Sequence, residues 1–155
     1  MNELHSTPSP AQPIQTPVTI KRGDFTAHIY NVPDFLDFPL TNLRKLWKLM
    51  FETAWENESA IDTITEWLPV VLVETEEAIQ AAQAARRQTA WDTETMRRNV
   101  AMFGSVATKE QKADVTKAER LLKAAEKCVK DARARHAKAH KLQVIFNELA
   151  ENARF

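Results

Sequence analysis

The chain has 155 residues, equal numbers of Lys+Arg and Asp+Glu (21 each) and one cysteine, Cys128. That length sets one domain with at most a tail. Zero net charge leaves no global field drawing the chain to nucleic acid or a membrane, and a single thiol excludes an intrachain disulfide. The apolar fraction of 44% suffices for a core, while only two glycines, Gly23 and Gly104, argue against a turn-rich β fold and for long helices.

Residues 1–17 hold Pro8, Pro10, Pro13 and Pro17 among Ser, Thr and Gln, the composition of an extended tail without a core of its own. They lack the basic start and apolar centre of a secretory leader. The longest apolar run, Trp67 to Val73, has seven residues, far short of the ~20 a membrane span needs. The cytoplasm is the default setting, and a virion is compatible with it.

Residues 18–155 read as a single helical domain. Residues 18–40 open it with a small β element and a connector. Val18-Thr19-Ile20 and Phe25 to Tyr30 flank Lys21-Arg22-Gly23-Asp24, which predicts a hairpin around a glycine turn. Pro33 and Pro39 bracket an apolar connector. Thr41 is placed to cap a helix over 41–56, whose apolar positions Leu43, Leu46, Trp47, Met50, Phe51, Ala54 and Trp55 share one stripe. Trp47 and Trp55 are therefore assigned to the core.

Ser59 and Asp62 resemble a capping box, and a first long arm is expected over 59–103. Its stripe is Ile61, Ile64, Leu68, Val71, Thr75, Ala78, Ala82 and Ala85. The phase continues through Pro69, which predicts a kinked but unbroken helix, with a break at Pro69 as the alternative. The stripe falters at Thr89 and Asp92, where Asp92 or Thr93 is placed to cap a separate piece.

Gly104 stands where a C-terminal cap belongs. Thr108-Lys109-Glu110-Gln111 fits the capping box in both its positions and starts a second arm over 108–153. Alanine recurs at seven-residue intervals along it: Ala118, Ala125, Ala132 and Ala139. The seam reads Ala118, Leu121, Ala125, Cys128, Ala132, Arg135, Ala139, Leu142, Phe146, Leu149 and Ala153. Two arms of 45 residues, 59–103 and 109–153, joined at a glycine turn predict an extended, coiled-coil-like antiparallel helical hairpin with an alanine-rich seam. The shorter amphipathic helix belongs at its base, against Leu142, Phe146 and Leu149. The fold class is mainly α.

Chemistry-bearing patterns are few. His136 and His140 share a helical face at metal-ligand spacing. A site needs a third ligand, Cys128 is two turns away, and Arg135, Lys138 and Lys141 repel a cation, so no metal or cofactor is expected. Lys123, Lys127 and Lys130 belong to a basic face over 117–141 that is a candidate nucleic-acid surface. Glu119–Lys123, Glu126–Lys130 and Asp131–Arg135 have the spacing of a solvated helix, and no aromatic interleaves as a base-stacking platform. There is no phosphate loop, nucleophile elbow or paired-carboxylate cleft, so no catalytic residue is assigned and an enzyme is not expected.

Aromatics beside the stripes are the better interface candidates: Trp67 and Trp91, with Phe25 and Tyr30 of the hairpin. The sequence points to a non-enzymatic structural or interaction subunit of a larger assembly, such as a virion or secretion particle. Its partners are proteins, homo- or hetero-oligomeric, and no small-molecule substrate is expected. A regulatory or inhibitory protein binder and a nucleic-acid-associated protein are the alternatives.

Overall fold

The computed structural model describes residues 17–153. The tail expected over 1–17 lies outside the described residues, save for Pro17. In chain order the elements are β1 (Val18–Arg22), β2 (Phe25–Ile29), a 3-10 turn at Val32–Asp37, α1 (Leu40–Glu52), a 3-10 turn at Ala54–Glu56, α2 (Glu58–Phe103), a 3-10 turn at Gly104–Val106 and α3 (Lys109–Asn152). They form two compact units. One contains the chain up to Trp67 and again from Ile145; the other runs from Leu68 to Val144.

In the first unit, β1 and β2 pair antiparallel with Arg22 opposite Phe25. β1 extends two residues further than the sequence suggested, so the loop is only Gly23-Asp24, while β2 ends at Ile29, one residue short of Tyr30. Gly23 takes φ +58° at the first loop position, where a two-residue hairpin turn requires a left-handed residue. Val18 and Ile20 alternate inward and are buried. Lys21 pairs with Thr26 one step from the loop, a position whose N–H and C=O face away from the partner strand.

Asn57 satisfies those outward groups. Its Oδ1 accepts from the Lys21 N–H at 2.7 Å, and its Nδ2 donates to the Lys21 carbonyl at 2.8 Å. The same Nδ2 reaches the carbonyls of Thr53 at 3.0 Å and Met50 at 3.1 Å. One buried amide thus holds the hairpin, the end of α1 and the start of α2 together.

Trp47 is fully buried at the centre of this unit. Phe35 and Phe146 stand perpendicular to it, with ring centroids 5.6 and 5.4 Å away, and Phe51 meets Phe146 edge-on at 5.2 Å. Each such pair adds about 0.5–1.5 kcal/mol beyond the area it buries. The base expected around Phe146 and Leu149 is therefore present. Its caps differ from those expected. α1 begins at Leu40 behind Pro39, so Thr41 lies inside it and caps nothing. α2 begins at Glu58, where the Asn57 carbonyl accepts from the Ile61 N–H at 2.9 Å; Ser59 lies within the helix.

The second unit is an antiparallel pair formed by α2 and α3. α2 is continuous through Pro69. Thr65, whose carbonyl proline leaves without a donor, and Pro69 both lie on the exposed face and outside the seam. No break occurs at Asp92. Thr93 is buried instead, and its hydroxyl bonds back to the Thr89 carbonyl at 2.8 Å and across to the Ala118 carbonyl at 3.3 Å. The buried or half-buried stripe of α2 runs through Leu68, Val71, Thr75, Ile79, Ala82, Thr89, Thr93 and Val100. The expected Ala78 and Ala85 are exposed.

Gly104 has φ +56°, and Thr108 and Gln111 form the reciprocal box: the Thr108 N–H donates to Gln111 Oε1 at 2.9 Å and the Gln111 N–H to Thr108 Oγ1 at 3.1 Å. The predicted turn stands as read. On α3 the alanines face the seam, with Ala118 and Ala139 buried and Ala125 and Ala132 half-buried. Their companions are shifted by one residue. Leu122, Val129 and His136 are buried or half-buried, while the expected Leu121, Cys128 and Arg135 are exposed. Steps of four then three from each alanine, rather than three then four, carry the seam.

Candidate functional site

Both long helices present polar faces, so the candidate surfaces are the apolar and cationic groups left outside the two cores. Of the four predicted interface aromatics, three are exposed: Tyr30 at 78%, Trp91 at 67% and Phe25 at 49%. Trp67 is half-buried, its ring 6.0 Å from that of Phe35, and completes the core of the first unit.

The largest departure is Trp55. Its spacing assigned it to the α1 stripe, yet it is 74% exposed. α1 ends at Glu52, and the 3-10 turn Ala54–Glu56 resets the helical phase, so Trp55 no longer follows Met50 and Phe51 inward. It lines instead a largely apolar groove of about 570 Å³, together with Phe51, Ala54, Leu149 and Ala153 and the polar Lys48, Glu52 and Asn152. Glu52 Oε2 binds Arg22 Nη1 at 2.7 Å, and Arg22 is the register partner of Phe25. The turn end of the hairpin is thereby tied to a residue that lines the groove. Tyr30 follows the other end of β2, and Trp91 belongs to the second unit.

His136 turns inward. Its Nδ1 lies 2.7 Å from Thr75 Oγ1, its Nε2 lies 3.3 Å from Glu76 Oε2, and its ring meets that of His140 edge-on at 4.7 Å. Both ring nitrogens are thus engaged by α2. Among the described residues no three His, Cys, Asp or Glu side chains are grouped to hold a metal ion, and no helix is long and apolar enough to cross a membrane.

Glu119, which its spacing pairs with Lys123, bonds to Arg97 Nη2 at 2.8 Å across the helix pair. That bond, with the attraction of the same carboxylate, raises the Arg97 guanidinium above its ordinary pKa.

Lys123, Lys127 and Lys130 are exposed on α3 as the nucleic-acid reading requires, but only Lys130 lines a groove with cations of the facing helix. That groove contains Arg133, which belongs to the basic face over 117–141, and Arg86 and Arg87, which did not figure among the candidates. The signal was available: an antiparallel register sets the Arg86-Arg87 pair alongside residues 125–130. Comparison with protein-family models, curated proteins and solved structures finds no match to this chain.

Proposed function

We propose that the protein is a non-enzymatic structural or interaction subunit whose partner is another protein. The observation supporting this is Trp55, a large aromatic held outside the core beside the groove of Phe51, Leu149 and Ala153. Isolated exposed apolar residues are ordinary, but an exposed tryptophan lining an apolar depression is the composition of an interface anchor. Tyr30, Trp91 and Phe25 add contact area elsewhere.

Light scattering over a range of concentrations tests the reading. Self-association through the groove gives masses that are multiples of 17.7 kDa and fall to the monomer in W55S. A strictly monomeric chain, with W55S indistinguishable from it, removes self-assembly. A complex with a foreign subunit that survives W55S unchanged removes the anchor assignment.

A further inference from the structure

The groove between α2 and α3 of about 580 Å³ has seven lining residues: Gln83, Arg86 and Arg87 from α2, and Glu126, Val129, Lys130 and Arg133 from α3. Four are cations and one is a carboxylate, so the groove carries a local charge of +3 in a chain whose net charge is zero. Elsewhere arginines meet carboxylates: Arg22 with Glu52, Arg44 with Glu148, Arg97 with Glu119, and Arg98 with Glu94. Arg86, Arg87, Lys130 and Arg133 meet none within 4.0 Å among the described residues, although Glu126 shares their groove. Cations held together by two packed helices repel one another, and an anion between them relieves that repulsion.

We propose that this groove binds a compact anion carrying two or more phosphate groups. Guanidinium forks match phosphate oxygens two at a time, and three arginines with one lysine supply donors for more than one phosphate. An extended nucleic-acid strand fits less well. No aromatic lines the groove to stack a base, and Lys123 and Lys127, which a strand running along α3 would use, lie outside it.

The test is isothermal titration calorimetry of the full chain with sodium tripolyphosphate in low salt, with sodium sulfate as the control anion. Saturable binding of tripolyphosphate is expected, weakened at least ~5-fold in R86Q/R133Q and changed less than ~2-fold in K123Q/K127Q. E126Q, which removes the one repelling carboxylate, is expected to tighten binding by ~2-fold or more, a gain that a folding defect cannot imitate. Absence of saturable heat overturns the proposal. So does equal loss in the two double variants, or sulfate binding as tightly as tripolyphosphate, since each marks diffuse attraction rather than a site. A single-stranded oligonucleotide that outcompetes tripolyphosphate and depends on Lys123 and Lys127 overturns it in favour of nucleic acid.

Discussion

Replacing Asn57 by alanine tests the most connected residue of the first unit. The amide makes four contacts of 2.7–3.1 Å, to both backbone groups of Lys21 and to the carbonyls of Thr53 and Met50. An amide nitrogen has two hydrogens, so about three bonds are fully made at once. At roughly 0.5–1.5 kcal/mol each, with the Met50 carbonyl left short of a donor in a buried place, N57A is expected to lose about 2–4 kcal/mol. N57D keeps the shape and the acceptor for Lys21 but turns a carboxylate toward three carbonyl oxygens. That carboxyl is easier to protonate folded than unfolded, so N57D is expected to be worse than N57A at pH 7 and to recover as the solution is taken below about pH 4. Urea unfolding followed by circular dichroism measures the loss, and native-state hydrogen exchange at the Lys21 amide localises it. A loss for N57A under about 1 kcal/mol, or a wild-type Lys21 amide that exchanges as fast as an open strand edge, refutes the reasoning.

The one-residue shift of the seam is checked by paired substitutions on α3: L122S is expected to lower stability by about 1–2 kcal/mol in urea melts, and L121S by less than about 0.5. Ala139 is fully buried and Ala134 exposed, so A139L should cost about 1–3 kcal/mol by overpacking while A134L is near neutral in the same melts. At the turn, T108A removes half of the capping box for about 1 kcal/mol. G104A also costs about 1 kcal/mol, here from its φ of +56° alone, since an added Cβ meets nothing within 4 Å; thermal denaturation reads both. A double-mutant cycle of T75V and H136A is expected to give a coupling of about 0.5–1.5 kcal/mol, and a coupling near zero would mean that the 2.7 Å contact contributes nothing.

What the sequence disclosed follows from how local each signal is. The Gly104 turn and the Thr108–Gln111 box are written in adjacent residues and obey backbone chemistry alone, so they were legible in full. The alanine edge was legible because a seven-residue repeat of one residue type admits one face. Its companions were not. Leu121 and Leu122, like Cys128 and Val129, offer apolar choices on either side of the true phase. Spacing alone cannot separate steps of three and four, although the first choice set Arg135 in the seam and the other sets His136 there. Thr93 misled in the opposite direction: a threonine that resembles a cap is a core residue here, because Ala118 opposite leaves room and a carbonyl for its hydroxyl. Asn57 gave no signal in sequence, since its partners at Lys21 and Met50 are defined only once the hairpin docks.

Trp55 shows how a short interruption converts core into surface. Had α1 continued for one more turn, the residue would have followed Met50 and Phe51 inward; the turn at Ala54–Glu56 rotates it out and leaves Phe51 and Leu149 forming an apolar wall beside it. The second unit makes the same trade by another route. Part of its seam is closed with Ala118, Ala139, Thr75 and Thr93, which bury less apolar area than the Leu68, Val71, Val129 and Leu142 that share the unit. Meanwhile Trp91, Met102, Phe103 and Val106 remain exposed. A helix pair with small residues along part of its seam and large ones left outside would gain stability from a partner that covered them. A partner that binds only the folded arm at a hundred times its dissociation constant adds about 2.7 kcal/mol to it. If such a partner exists, protection of α2 and α3 amides in hydrogen exchange should rise in its complex well beyond the residues that it touches, and a rise confined to the contact itself would show that the helix pair is already at its full stability alone.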